Sequence, residues 1–183
     1  MTVINSQVFQ SISAVANPAL LSRALTLINN TTLSSLEAMR DSLLSGKVTV
    51  RVATATDSIP AGAHAFYLAG PDSTTGQIIV KAEFLQRASD AQVLQFVDDL
   101  RHEYQHHRNV TARDDLGRDL RAGPGTPEQR GNAYVTGTID DEANARLASY
   151  DFRRQVAALP GTDYKASNFA SLENDPLYKN LNP

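Results

Sequence analysis

The amino-acid sequence predicts an α+β fold, a small mixed sheet followed by two chemistry-bearing helices, on three observations. Residues 47–84 contain β-branched segments that alternate with period two. Residues 90–108 carry an apolar stripe at helical spacing behind a capping signal. Residues 138–158 open on Thr138 and three acidic residues and continue as an Ala-rich helix. A chain of 183 residues with 42% hydrophobic content fits one compact unit with a real core. Within it, residues 1–46 read as a helical N-terminal segment and residues 47–183 as the main domain.

In the N-terminal segment, Asn17-Pro18 is expected to break the first helical stretch, because the residue before proline is pushed out of the helical region. Thr31 or Thr32 can cap a helix carrying Leu33, Leu36, Met39 or Arg40, and Leu43, with Gly46 as its stop. The segment reads as packing. Lys47–Val52 is the first expected strand, His64–Ala69 the second and Gln77–Phe84 the third, with the turn-rich loop from Gly70 to Gly76 between the last two. Ser89 and Gln92 fit a capping box opening the helix at about residue 90. Residues 109–137, polar and punctuated by Gly117, Gly123-Pro124-Gly125, Pro127, Gly131 and Gly137, read as a long loop with a short helical piece near 113–121. Thr138 is the expected cap of the last helix, which ends at Pro160-Gly161. The tail beyond, with Tyr164, Phe169, Leu172, Leu177 and Tyr178, reads as an extended wrap over the core.

Composition narrows the chemistry. The net charge of −3 gives no basic character for nucleic acid or anionic membrane. With no Cys, disulfides, thiol redox chemistry and Cys-ligated zinc are excluded, so a metal would have to use His and carboxylates. Met1–Ser6 lacks a basic and then apolar leader pattern, so no signal peptide is expected; the protein would be cytoplasmic or exported by a route that needs none. No run approaches the roughly 18 apolar residues of a membrane span. A monomer is expected.

The most informative residues are His102-Glu103-Tyr104-Gln105-His106-His107. Two histidines four apart on a helix share a face and reach one ion, and the Glu between them can take a proton from a water held there. With four His in the chain, an accidental His-Glu-x-x-His is rare. At about 100° per residue, His102, His106 and Asp99 fall within roughly 60° of one another, with Glu103 flanking them. The stripe Val93, Phe96, Val97, Leu100 and Tyr104 lies on another side. The packing face and the chemical face of this helix are therefore distinct. His107 falls on the packing side, where a buried or hydrogen-bonded histidine is expected, and His64 opens a strand as an ordinary structural residue. The inventory leaves no third His on the chemical face, so a third ligand would be a carboxylate, and the acidic start of the later helix offers Asp140, Asp141 and Glu142 among the chain's acids.

Strands, then a capped helix bearing His-Glu-x-x-His, resemble the zincin metallopeptidases, and Glu142-Ala143-Asn144-Ala145 on a later helix resembles their glutamate-ligand branch, the gluzincins. The resemblance spans roughly residues 47–158, and in size the chain is similar to the small zincins used as bacterial toxins or injected effectors. The branch that uses a third His is ruled out. The resemblance implies a zincin-like catalytic domain with Zn2+ held by His102, His106 and Glu142, Asp141 being the rival for the third place. It implies Glu103 as the general base for hydrolysing a peptide bond in a protein or peptide substrate. Tyr134 is a candidate to stabilise the transition state, with Tyr150 and Arg146 behind it. The strand residues Ile78, Ile79 and Val80 are expected to form the edge that receives substrate by β-augmentation. Arg146 stands where gluzincins usually carry an acid, which departs from their pattern, and Asp99 is a candidate to orient a ligand. Two other functions share the motif: an inactive zincin-like binding or scaffold module, and a zinc amidase acting on a cell-wall bridge.

Overall fold

The fold is a three-stranded mixed sheet with helices packed around it, α+β as expected; the computed structural model describes residues 4–160. The expected C-terminal wrap lies outside the described residues. Helix α1 (Pro18–Ile28) and helix α2 (Glu37–Leu44) come first, each near a short 3-10 turn. Asn17-Pro18 interrupts the first stretch as expected, with Asn17 extended, and also starts α1. The Asn17 side chain accepts from the Ala19 N–H at 2.9 Å and Pro18 takes the first turn, where its missing N–H costs nothing. The expected cap at Thr31 or Thr32 does not form. A 3-10 turn at Ser34–Leu36 precedes α2, and the Thr32 hydroxyl bonds to the Asn30 side chain instead. Gly46, at φ +71°, does stop the segment, in a left-handed conformation that favours glycine. Arg40 is buried because it caps α1: its Nε donates to the Ile28 carbonyl at 2.7 Å and Nη2 to that of Asn30 at 3.2 Å.

Strands β1 (Val48–Val52), β2 (Ala65–Ala69) and β3 (Gly76–Val80) assemble in the order β1-β3-β2. β1 runs parallel to β3, and β2 runs antiparallel to it. This corrects the expectation that Ile78, Ile79 and Val80 form an edge. They occupy the central strand, paired on both sides and at most 1% exposed. The physical reason is in the run itself: three successive apolar residues suit a strand covered on both faces, whereas an exposed edge would alternate. The third strand also ends sooner than expected, at Val80, and Ala82–Gln86 turns into a 3-10 helix.

Helix α3 (Asp90–Arg108) lies against the sheet. The Ser89 side chain accepts from the Gln92 N–H, but Gln92 donates to the Phe84 carbonyl, so only half of the capping box forms. The whole expected stripe, Val93, Phe96, Val97, Leu100 and Tyr104, is buried. One apolar cluster joins it to Phe9, Leu20, Leu33 and Met39 from the N-terminal segment and to Val50, Ile78 and Phe152, so residues 1–46 share a core with the sheet from Ile4 onward.

The expected loop over 109–137 is largely helical. Helix α4 (Val110–Ala122) follows α3 across Asn109, and helix α5 (Pro127–Ala157) returns, roughly 46 Å long. Thr126 and Gln129 form a complete capping box at its start, with Pro127 in the first turn. Thr138 is thus inside α5 and caps nothing; its hydroxyl bonds back to the Tyr134 carbonyl at 2.9 Å. Among the described residues no helix is long and apolar enough to cross a membrane.

Candidate metal centre

Two helices build the site. α3 brings His102 and His106 to one face, and the middle of α5 brings Glu142 across to them. His102 Nε2 and His106 Nε2 are 3.3 Å apart, and Glu142 Oε2 is 3.7 Å from each. Donors bound tetrahedrally to zinc at about 2.0–2.1 Å stand about 3.3 Å from one another. The three side chains therefore already have the spacing of a shared ligand set, and among the described residues they form the one His/carboxylate group able to hold a metal ion. The donor set, two imidazoles and a carboxylate, suits zinc and leaves a fourth direction without a protein ligand.

The charges around the triangle favour binding. Glu142 is held near pKa 2 chiefly by its close approach to His102, against burial, with help from Arg146. Arg146 Nε donates to Glu142 Oε1 at 2.9 Å, which leaves Oε2 to face the histidines. Arg146, four residues after Glu142 on α5, thus grips the candidate ligand directly. Burial lowers the His102 pKa, but the close approach of Glu142 and the charges of Glu103, Glu142 and Asp98 outweigh it, so the net shift is upward. A metal must then displace a proton from the imidazole, and uptake should strengthen as pH rises.

Glu103 lies beside the triangle and is almost fully buried. Burial pushes its carboxyl pKa up, opposed by the nearby histidines and by a hydrogen bond from the Tyr67 backbone. Tyr67 sits on β2, an outer strand of the sheet with no strand beyond it among the described residues. The Lys81 N–H donates to the His64 carbonyl and the Gly70 N–H to that of Thr75, so even-numbered residues turn their backbone toward β3. Ala65, Tyr67 and Ala69 turn theirs the other way, toward the Glu103 side. The edge beside the site is β2.

Other expected residues fall elsewhere. Asp141 does not join the triangle. Its Oδ2 is 2.8 Å from His106 Nδ1, the nitrogen that points away from the other donors. Asp140 is exposed and stands outside the ligand group. Tyr134 was expected in a glycine-rich loop; it is on α5, about two turns before Glu142, and outside the donor cluster. Tyr150 lies two turns beyond Glu142 on the same helix. Asp99 orients no ligand: it bonds Gln95 at 2.6 Å and His64 Nδ1 at 3.2 Å, and burial lifts its carboxyl to about 6. His64 stacks on Phe84 with ring centroids 4.2 Å apart. His107 is a packed residue, as its place on the wheel required: its Nδ1 is 2.9 Å from the Tyr67 hydroxyl and burial lowers its pKa.

Sequence reasoning missed the tie between Asp98 and Arg153, a buried carboxylate on α3 whose partner is on α5. Arg153 Nε donates to Asp98 Oδ2 at 2.9 Å. The bond fixes the two ligand-bearing helices to each other one turn before His102. The polar residue at position 98, next to an apolar stripe, was the available signal. Compared with known proteins, the chain matches no family model, no curated protein and no solved structure.

Proposed function

We propose that the protein is a zinc-dependent peptidase in which His102, His106 and Glu142 hold the metal and Glu103 is the general base. The observation that carries this reading is the triangle of 3.3, 3.7 and 3.7 Å formed by three donors from two different helices. Zinc held there would supply Lewis acidity, polarising a carbonyl and bringing the pKa of a water down to about 7. Glu103 would take the proton from that water and later pass it to the leaving amine. Burial raises its carboxyl pKa, which favours accepting a proton. The near-complete burial of Glu103 keeps bulk water from competing for that transfer.

The substrate would lie along β2, where the outward backbone groups of Ala65 and Ala69 flank the Tyr67 N–H that faces Glu103. The Tyr67 N–H is already engaged by the Glu103 carboxyl. A bound peptide would compete for that donor, which couples substrate entry to the state of the base. Substrate pairing with β3 is ruled out by its central position.

The test is a pair of variants followed by metal analysis and by cleavage profiling on a peptide library. Glu103→Gln should retain about one zinc per chain and lose hydrolysis by about 100- to 10,000-fold. His102→Ala should lose the metal. A wild-type protein that takes up no zinc, or a Glu103→Gln protein that cleaves as fast as wild type, would defeat the reading.

A further inference from the structure

An imidazole can ligate only through a nitrogen that carries no proton, so a metal-binding histidine needs something to fix its tautomer. At His106 that something is visible. Asp141 Oδ2 is 2.8 Å from Nδ1, and a carboxylate can only accept, so the proton belongs on Nδ1 and the Nε2 lone pair faces His102 and Glu142. Asp141 is itself buried and held from two sides. Asn109 Nδ2 donates to its Oδ1 at 2.7 Å, and Arg113 Nε stands 3.4 Å from its Oδ2.

The Asn109 bond is the end of a longer series. Arg101, Gln105 and Asn109 occupy successive turns at i, i+4 and i+8 along one side of α3 and its C-terminal cap. Arg101 Nη1 donates to Gln105 Oε1 at 3.2 Å, and Gln105 Nε2 donates to Asn109 Oδ1, also at 3.2 Å. All the donors point the same way, from the buried Arg101 guanidinium toward the Asp141 carboxylate. Hydrogen bonds aligned head to tail polarise one another, and here they converge on one carboxylate. Asn109 also marks the break between α3 and α4, so the ladder crosses from the motif helix to α5 at the place where the chain turns.

We propose that Arg101, Gln105, Asn109 and Asp141 form a positioning ladder that sets the His106 tautomer and tunes metal affinity from outside the ligand set. The proposal rests on the reading of the triangle as a metal centre. It assigns Asp141, the rival of Glu142 for direct ligation, to the opposite nitrogen of the histidine.

Two readouts test it without using catalysis. Long-range 15N–1H spectra of the metal-free protein report which nitrogen of His106 carries the proton, and chelator competition reports zinc affinity. Wild type should show the proton on Nδ1. Asp141→Asn should lose that preference and bind zinc about 10- to 100-fold more weakly, the usual cost of removing an outer partner of a ligating histidine. Gln105→Ala, three hydrogen bonds back from His106, should weaken zinc by a smaller factor, with the melting temperature of the metal-free protein unchanged. Asn109→Ala, adjacent to Asp141, should fall between them and carries the test if Asp141→Asn does not fold. Wild-type affinity and an unshifted His106 signature in Asp141→Asn and Asn109→Ala together would overturn the proposal. If wild type takes up no zinc, the metal-centre reading fails by itself, while the His106 signature still decides whether the ladder sets the tautomer.

Discussion

The two halves of α5 obey different rules. Its C-terminal half, from Asp141 to Ala157, buries Ala143, Ala145, Ala148, Phe152 and Val156. Its N-terminal half pairs with α4 in a hairpin where no residue from Thr111 to Asp140 is fully buried. The first half-helix is held by the shared core. The second is held by local devices: the capping box at Thr126, the pair Arg118–Asp115, and a close approach of Gly137 to Leu116. Asp141 and Glu142 stand at the boundary. The α5 contribution to the candidate site thus comes from the core-anchored half. That division turns one helix into both a structural member and a wall beside the site.

The largest expected effect tests the anchored half. Phe152 is fully buried and shares its cluster with the α3 stripe, so Phe152→Ala should lower global stability by about 3–5 kcal/mol. Chemical denaturation measures it. A loss below about 1 kcal/mol would mean that the C-terminal half is no better anchored than the hairpin. Gly137→Leu tests the other half. A Cβ there would lie 2.3 Å from Leu116 Cδ1, so a large side chain must spread α4 and α5 apart. The expected cost is about 1–3 kcal/mol. It should appear as faster amide exchange confined to α4 and the start of α5, with α3 protection and zinc affinity retained. Exchange that rises equally in α3 would erase the distinction between the halves.

The same contrast explains what the sequence revealed. α3 was readable in full because its apolar stripe, its cap at Ser89 and its polar face agree, and each is a local property. The hairpin was readable only in part, through the short helical piece expected near 113–121, which lies within α4. It has no apolar stripe to bury, and Gly117, Gly131 and Gly137 each cost a helix up to about 1 kcal/mol, so the composition reads as loop. Only packing explains Gly137. Gly131 has open space around it, and the structure offers no account of its choice. β3 was read as a strand, but its expected place at the edge failed for another reason: pairing order is a long-range property, and the consecutive Ile78-Ile79-Val80 run marked a central strand that order in the chain disguised. For the site, spacing on one helix gave His102, Glu103 and His106. The choice of Glu142 over Asp141 depends on which nitrogen of His106 each carboxylate faces, and the α3–α5 packing decides that.

The smallest expected effect is the sharpest probe of the hairpin. Val135 and Ile139 are 57% and 50% exposed on the outer side of α5. They lie in line with Glu142 along the helix, within about 20° and 60° of it at 100° per residue. Gly137, by contrast, falls on the side facing α4. Ser has a helix propensity close to those of Val and Ile, so replacing both changes little in the backbone. If the hairpin stands free, the Val135→Ser, Ile139→Ser double variant should melt within about 0.5 kcal/mol of wild type, as surface substitutions do. A loss of 2 kcal/mol or more would show that these side chains are covered in solution. The hairpin would then owe its stability to burial after all, and the two halves of α5 would differ in what covers them, not in how they are held.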